Sequence, residues 1–359
     1  MSEVSQILDL WKRARAAGEE ICVATVVGIE GSAYRCPGAR MLLTASGLRA
    51  GTVSGGCLEG EIAKKAWWLT AQGPALQRYS SFFDDDGDMP YGLGCGGTVT
   101  VLIERGEAAA QVLEALRRSV EDRAPWVVVT DTCTKSPGTV LIGGEGGAIA
   151  YAREPGNPSA GVASRLAAQA WEARASRRST GPEGDFFVEY LAPPPSVFVF
   201  GAGDDAQPLV EFTAALGWHT TVADGRSHLA RAERFPRASR VLSLRGALAE
   251  IANEAAAAAV LMTHSYEQDR TALCALLPLG LKYLGILGPR QRTERLAAEI
   301  APDLGLSPEE CMGRLHAPVG LDLGGHSPSA IAISITAELQ AVLAGREARK
   351  LTIARLIHA

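Results

Sequence analysis

The residues best suited to chemistry stand just before an amphipathic helical pattern, where Gly55 and Gly56 precede Cys57. Glycines let a ligand approach the backbone closely, and the first N–H groups of a helix, here from Ser54 onward, are free to bind an anion. A thiol at the positive end of a helix dipole is favoured as thiolate, and Glu59 lies in the same first turn. These residues predict an anion-binding site with a reactive thiol. The alternative is a glycine turn around a buried, inert cysteine.

Cys95 is a second cysteine flanked by glycines, in the run Gly94–Gly97. A predicted strand, residues 98–103, follows it directly. The acidic run before it, residues 84–88, resembles a calcium loop only in part, because no glutamate stands at the required later position. We therefore expect that run to be a solvated turn, and we expect Cys95 to be the candidate partner of Cys57.

The second half of the chain carries a dinucleotide-binding pattern in its required context. A short apolar strand, residues 197–200, leads into Gly201-x-Gly203-x-x-Ala206, and a helical pattern follows. Gly201 allows the tight turn, Gly203 lets a pyrophosphate near the backbone, and Ala206 permits close packing of helix and strand. Asp224, at the end of the next predicted strand, is placed to accept a hydrogen bond from a ribose 2′-OH.

Strands and helices continue to alternate beyond Asp224, which predicts a doubly wound parallel sheet. Because ligands bind at the carboxyl ends of parallel strands, His264 and the run Gly288–Arg290 are expected to line one cleft with the glycine turn. A structural histidine is the alternative for His264. Asp204 and Asp205 stand at the mouth of the expected phosphate site and would repel a pyrophosphate, so a vestigial nucleotide site is also open.

The first half of the chain repeats one order of predicted elements at a separation of about 100 residues. Helix, strand, hairpin, helix and strand are predicted over residues 5–83 and again over residues 107–190. The second copy has glycines at 143–147 where the first copy is expected to have its Gly-Gly-Cys stretch, and it has no cysteine there. We therefore expect the chemistry to lie in the first copy.

The prolines at 193–195 mark the clearest domain boundary, because prolines without N–H donors keep the chain extended. The predicted organisation is an N-terminal mixed α/β domain over residues 1–191, a C-terminal Rossmann-type domain with a doubly wound parallel sheet over residues 196–345, and a tail over residues 346–359. The expected fold class is α/β.

Composition excludes several classes of protein. The 359 residues are 47% hydrophobic and carry a net charge of −5, which argues against a nucleic-acid partner and an anionic-membrane surface. No apolar run reaches the ~20 residues of a membrane span, and the N-terminus lacks the apolar region of a secretory leader. Seven widely spaced cysteines without a C-x-x-C pair predict reduced thiols in the cytoplasm, without a disulfide framework or a structural zinc site.

The order and combination of the motifs resemble the XdhC/CoxI family, the accessory proteins of xanthine dehydrogenase and related molybdenum hydroxylases. The resemblance covers nearly the whole chain. In the first half it rests on Gly31-Ser32, Pro37–Met41, Ser54–Glu59 and Gly94–Gly97. In the second half it rests on Gly201–Gly203, Met262–His264 with Asp269, Tyr283–Gly288 with Arg290, and His316–Gly324.

This resemblance implies a cytoplasmic chaperone that binds molybdenum cofactor as cargo. Such a protein protects the cofactor while a cysteine desulfurase supplies sulfur, and then delivers it to a hydroxylase of the xanthine dehydrogenase type. Cys57 and Cys95 are then the candidates to contact the cofactor or the incoming sulfur, because thiolates are soft ligands. Arg35, Arg40 and Arg290 are the candidates to hold it by paired hydrogen bonds.

Two other functions stay open at this stage. An NAD(P)-dependent oxidoreductase would use the C-terminal domain, with His264 as its proton donor. A scaffold with a vestigial nucleotide site would need no ligand there. The long helix predicted to follow Pro328, rich in Ile and Ala, offers a homodimer contact.

Overall fold

The computed structural model describes residues 2–80, 96–153, 158–254 and 256–350. The chain divides into two compact units, an N-terminal unit of residues Glu3–Pro193 and a C-terminal unit that begins at Pro194. The two units are described one at a time below. Among the described helices, none is both long enough and apolar enough to cross a membrane.

The N-terminal unit begins with a helix and a five-stranded antiparallel sheet. Its elements are α1 (Glu3–Ala16), β1 (Ile21–Gly31), β2 (Arg40–Thr44), β3 (Arg49–Gly51), α2 (Glu59–Leu69), β4 (Ala75–Ser80) and β5 (Gly97–Arg105). The strand order is β3-β2-β1-β5-β4, and every neighbouring pair is antiparallel. The central strand β1 is apolar and buried over most of its length.

The second part of this unit repeats the same plan. Its elements are α3 (Glu107–Glu121), β6 (Trp126–Asp131), β7 (Gly138–Gly143), β8 (Ile149–Ala152), α4 (Pro158–Ala173), β9 (Arg177–Ser179) and β10 (Phe186–Leu191). The strand order β8-β7-β6-β10-β9 matches that of the first sheet element for element, so the predicted internal repeat is confirmed.

One detail of the predicted repeat is wrong. The glycines at 143–147 lie between β7 and β8 and correspond to the short turn between β2 and β3. The Gly-Gly-Cys stretch lies one connection later, between β3 and α2. Its counterpart is residues 153–157, of which only Arg153 is described, and the sequence has no cysteine there either. The error arose because both connections are rich in glycine.

Two buried carboxylates join the two five-stranded sheets of this unit, and each accepts hydrogen bonds from a residue of the other repeat. Arg40 Nη1 donates to Glu189 Oε1 at 2.9 Å, and Thr139 donates through its backbone N and its Oγ1 to Glu104 at 2.7 and 2.9 Å. Strand registers place Glu104 and Glu189 at equivalent positions of β5 and β10, and Arg40 and Thr139 at equivalent positions of β2 and β7. The repeat therefore extends to the polar contacts that join its halves.

The C-terminal unit is a parallel sheet with helices on both faces. Its elements are β11 (Ser196–Phe200), α5 (Ala206–Ala215), β12 (His219–Asp224), β13 (Arg240–Ser243), α6 (Leu244–Ile251), β14 (Ala258–Leu261), α7 (Tyr266–Leu276), β15 (Tyr283–Ile286), α8 (Arg290–Leu304), α9 (Pro308–Gly313) and α10 (Pro328–Leu343). The order is β13-β12-β11-β14-β15, all parallel. Helices α6 to α9 cover one face, and α5 and α10 cover the other. The predicted α/β class and doubly wound Rossmann-type sheet are confirmed.

Candidate functional site

The Cys57 loop, defined here as residues 52–58, connects β3 to α2. Cys57 is exposed at its outer side, together with Gly55 and Gly56, whose φ angles of +92° and +126° suit glycine. Leu58, the next residue, is fully buried in the core beneath α2. The alternative of a buried cysteine is therefore wrong, because the buried anchor of this loop is Leu58.

The carboxylate of Glu59 occupies the inside of the loop. Its Oε1 accepts from the backbone N–H groups of Val53 and Ser54, both at 2.9 Å, and of Gly55 at 3.3 Å. Its Oε2 accepts from Gly56 N at 2.9 Å and from Ser54 Oγ at 2.8 Å. Ser54 Oγ in turn accepts from Leu58 N at 2.9 Å. Four consecutive backbone donors thus converge on one side chain.

This arrangement changes the role predicted for the loop N–H groups. We expected them to bind an external anion, but they donate to Glu59, which is only 3% exposed. Burial acts to raise the pKa of Glu59, but hydrogen bonds, chiefly from Ser54, outweigh it and lower the pKa to about 2. The anion of this loop is therefore its own side chain.

Arg35 is connected to the Cys57 loop through Glu3 of α1. Arg35 Nη2 donates to Glu3 Oε2, and Glu3 Oε1 accepts from Thr52 N at 2.8 Å and from Thr52 Oγ1 at 3.0 Å. The Nε of Arg35 is buried and has no hydrogen-bond partner among the described residues. Of the two predicted cations in the N-terminal unit, Arg35 is the one that is connected to the Cys57 loop.

Arg40 lies in the interior instead. Its side chain is 5% exposed and forms a bidentate ion pair with Glu189, whose side chain is 9% exposed. Its guanidinium has no surface left for a cofactor phosphate, so we omit Arg40 from the proposed site. The sequence signal for Arg40 was its position in a motif, which did not distinguish a ligand contact from a buried pair.

Cys95 lies outside the described residues, but the two glycines that follow it are described. Gly97 pairs with Gly31 of β1, and a Cβ on Gly97 would overlap the backbone oxygen of Ser32. This close approach of two backbones explains the glycine at 97 without a ligand. Whether Cys95 takes part in the site stays a prediction.

In the C-terminal unit, the acid predicted to hold a ribose is fully buried. Asp224 has 0% side-chain exposure, and it accepts from Ala202 N at 2.9 Å and from Arg226 N, Nε and Nη2 at 2.8, 3.0 and 2.9 Å. Both carboxylate oxygens are thus occupied by donors of the chain itself. Asp224 holds the glycine turn to β12, and the predicted ribose contact is not available to it.

Asp205 covers the expected phosphate position. A Cβ on Gly203 would lie 2.5 Å from Asp205 Oδ1, and Asp205 Oδ2 is 2.7 Å from His264 Nε2. His264 is 61% exposed and has a φ of +55°, which is uncommon for a residue other than glycine. His264 thus meets Asp205 beside the glycine turn, and this carboxylate lies where a pyrophosphate would need backbone donors.

We therefore predict that NADH and NADPH bind at most weakly. A pyrophosphate at Gly203 would face the Asp205 carboxylate at short range. Addition of the protein to either nucleotide, at up to millimolar nucleotide, should leave the fluorescence of the nucleotide unchanged. The variant Asp205→Ser, which removes the charge, should change the nucleotide fluorescence more than the wild type does if this carboxylate is the obstacle. Saturable binding to the wild-type protein would contradict the prediction.

Arg290 begins α8 and is exposed, where it donates to Glu294 Oε1 at 2.8 Å one turn later. The cation that lies at the sheet edge is Arg292. Its Nη2 donates at 2.6 Å to the buried Asp269, which also accepts from Thr263 Oγ1 at 2.6 Å. Asp269 lies in a motif that is visible in the sequence, but Arg292 was not predicted. Three arginines at 290, 292 and 295 do not show which one faces inward.

His316 also proves to be part of a polar cluster of the fold. Its Nδ1 lies 3.1 Å from Glu338 Oε1, and its ring stacks on Tyr283 with centroids 4.2 Å apart. Glu338 also accepts from Tyr283 Oη and from Gly320 N. Within the described part of the chain, no group of His, Cys, Asp or Glu side chains has the proximity needed to hold a metal ion.

Two family models match this chain. The model described as the XdhC and CoxI family matches residues 14–80, which include the Cys57 loop. The model described as the XdhC Rossmann domain matches residues 197–339, which include nearly all of the parallel sheet. Together they match a part of each unit.

Known proteins with similar sequence or structure agree with these matches. A protein of Bacillus subtilis, named as a probable xanthine dehydrogenase subunit, is 31% identical over 89% of this chain and 92% of its own length. The molybdenum cofactor insertion chaperone PaoD of Escherichia coli is 25% identical over 94% of this chain and 87% of its own. The crystal structure of a xanthine dehydrogenase from Bacillus halodurans superposes with a TM-score of 0.74 at 27% identity, covering 99% of this chain and 98% of that one.

Proposed function

The chain belongs to the XdhC and CoxI family, and on that premise we propose that it binds molybdenum cofactor as cargo and delivers it to a molybdenum hydroxylase of the xanthine dehydrogenase type. Two relatives support this proposal. One is named as part of a xanthine dehydrogenase, and the other is a molybdenum cofactor insertion chaperone that aligns with nearly the whole chain. We further propose that the cofactor is sulfurated while bound, with a cysteine desulfurase as the sulfur donor.

The observation that carries the proposed site is the exposed Cys57 on an ordered loop. A thiolate is a soft donor suited to molybdenum and to its sulfur ligands. Cys57 stands at the surface, whereas the neighbouring Leu58 and Glu59 are buried and fix the loop beneath it. The thiol is thus accessible to a bound cofactor without rearrangement of the core.

Arg35 is the proposed contact for the anionic part of the cargo. Its guanidinium is held near the Cys57 loop by Glu3, and its side chain is 32% exposed. Guanidinium groups recognise phosphate by paired hydrogen bonds. The loop N–H groups contribute nothing to this recognition because Glu59 already accepts from them.

The test is co-purification of the protein with the cofactor, followed by molybdenum and pterin analysis. Cys57→Ala should reduce the bound pterin by about tenfold or more, since loss of a direct contact of ~1.4 kcal/mol changes the dissociation constant tenfold. Cys133→Ala, a partly buried thiol of the second repeat, is the matched control and should retain wild-type loading. Equal loading of both variants and equal activation of a client hydroxylase would remove Cys57 from the proposed site.

A further inference from the structure

We propose that Glu59 is a positioning residue that holds the Cys57 loop in the conformation that presents the thiol, an inference that rests on the proposed function of Cys57. Glu59 touches no cargo in this role. It acts through the loop backbone, and its position is inside the loop rather than on its surface.

The first argument is the direction of the hydrogen bonds. Residues 53–56 all turn their N–H groups inward to the same carboxylate, at distances of 2.9 to 3.3 Å. The two glycines that separate the buried Ser54 from Cys57 carry no side chain, so Cys57 is the first exposed side chain of the loop beyond these donors. Loss of the carboxylate would leave four converging donors without an acceptor, which is costly for groups that are buried or partly buried.

The second argument is the absence of crowding at the two glycines. A Cβ on Gly55 or on Gly56 would meet no atom of the described residues within 4 Å. Packing against neighbouring described elements therefore does not hold this part of the loop. Its contacts are the hydrogen bonds to Glu59, and the buried side chains of Val53 and Leu58 anchor the loop on either side of it.

The third argument comes from the repeat. Helix α4, the counterpart of α2, has no acidic residue in its first turn, and the connection before it contains no cysteine. The two halves share their strand order and their buried polar contacts, so the fold itself does not require an acid at this position. A glutamate at the start of the helix and a cysteine in the connection before it occur together in the first repeat, and neither occurs at the corresponding place in the second.

The variant Glu59→Gln tests this role, with Glu61→Gln as the matched control. Gln keeps the length of Glu but has a single acceptor oxygen and an NH₂ group that faces the loop donors. Glu61 lies on the same helix and pairs with Lys65 at 2.6 Å near the surface, so its loss is expected to cost little. Both variants retain Cys57 and Leu58.

The first readout is peptide-resolved hydrogen–deuterium exchange and Cys57 alkylation at one fixed pH, without any cofactor. Glu59→Gln should raise the amide exchange of residues 53–57 and change the alkylation rate of Cys57 several-fold. Amide exchange in the sheet of the first repeat and in the whole second repeat should stay as in the wild type. The second readout is cofactor retention, which should fall about tenfold. This is the size of effect found when a residue that orients a ligand-contacting side chain by hydrogen bonds is replaced. Glu61→Gln should match the wild type in both.

The outcomes separate this inference from the proposed function. Unchanged local exchange and alkylation in Glu59→Gln would overturn the positioning role. Changed exchange with wild-type cofactor retention would also overturn it, because the loop conformation would then not matter for the cargo. If Glu59→Gln does not fold, amide hydrogen–deuterium exchange of the wild-type protein provides the test. Fast exchange of the Val53, Ser54 and Gly56 amides would then refute their hydrogen bonds to Glu59. The Cys57→Ala test can fail independently of all these results.

Discussion

Replacing Arg40 with methionine is expected to lower the free energy of unfolding of the N-terminal unit by about 3–5 kcal/mol, because it leaves the Glu189 carboxylate buried without its partner. Both side chains are less than a tenth exposed. Burial by itself acts against the charged guanidinium, but the Glu189 carboxylate outweighs it and raises the pKa of Arg40. Arg40 is thus charged at every accessible pH.

The measurement is thermal unfolding by calorimetry, where a unit of this size should lose roughly 10 °C in Tm. Arg78→Met is the matched control, since Arg78 pairs with Glu30 at the surface of the same repeat and such pairs contribute about 0–1 kcal/mol. The double variant Arg40→Met with Glu189→Leu should recover part of the loss, because no charge is then left unpaired. A stable Arg40→Met protein that fails only in cofactor retention would instead support a ligand contact for Arg40.

Gly201→Ala is expected to destabilise the C-terminal unit by about 3–5 kcal/mol, the sum of overpacking and of strain at an unsuitable backbone conformation. Gly201 has a φ of +125°, and a Cβ there would overlap the carbonyl group of Met262 in the neighbouring chain segment. Gly201 is therefore required by the crossing of two backbones. This requirement exists whether or not a nucleotide binds.

The matched control is Gly280→Ala, because Gly280 has a φ of +62° and open space around its Cα among the described residues. It should cost only about 1–2 kcal/mol, the penalty of a left-handed conformation for a residue with a Cβ. Chemical denaturation of both variants, followed by tryptophan fluorescence and by circular dichroism, gives the comparison. Equal stability of the two variants would show that the chain near Met262 moves away at little cost.

The sequence alone was sufficient for the architecture of the C-terminal unit. The strand before Gly201, the helix after it and the acid at Asp224 are local signals, and alternating strands and helices permit few arrangements besides a parallel sheet. The same holds for the internal repeat, because the order of elements survives even where identical residues do not. Local signals were less reliable at connections, and the glycines at 143–147 were assigned to the wrong one.

Only the tertiary structure decided what the polar side chains contact. Glu59 accepts from its own loop, Asp224 holds the glycine turn, and Arg40 pairs with Glu189 from the other repeat. Asp224 and Arg40 were predicted from their motifs to face a ligand, and Glu59 was predicted to lie in the first helical turn of the anion-binding site.

The physical reason is that a sequence pattern does not show which partner a polar group contacts in the folded chain. Apolar periodicity identifies the buried face of an element, because burial of apolar surface depends little on which neighbour provides it. A carboxylate or guanidinium, in contrast, is satisfied by donors or acceptors at one distance and direction. The sequence by itself determined the elements, their order and the cysteine motif, and the folded chain determined that Cys57 is exposed and which charged groups remain available to a ligand.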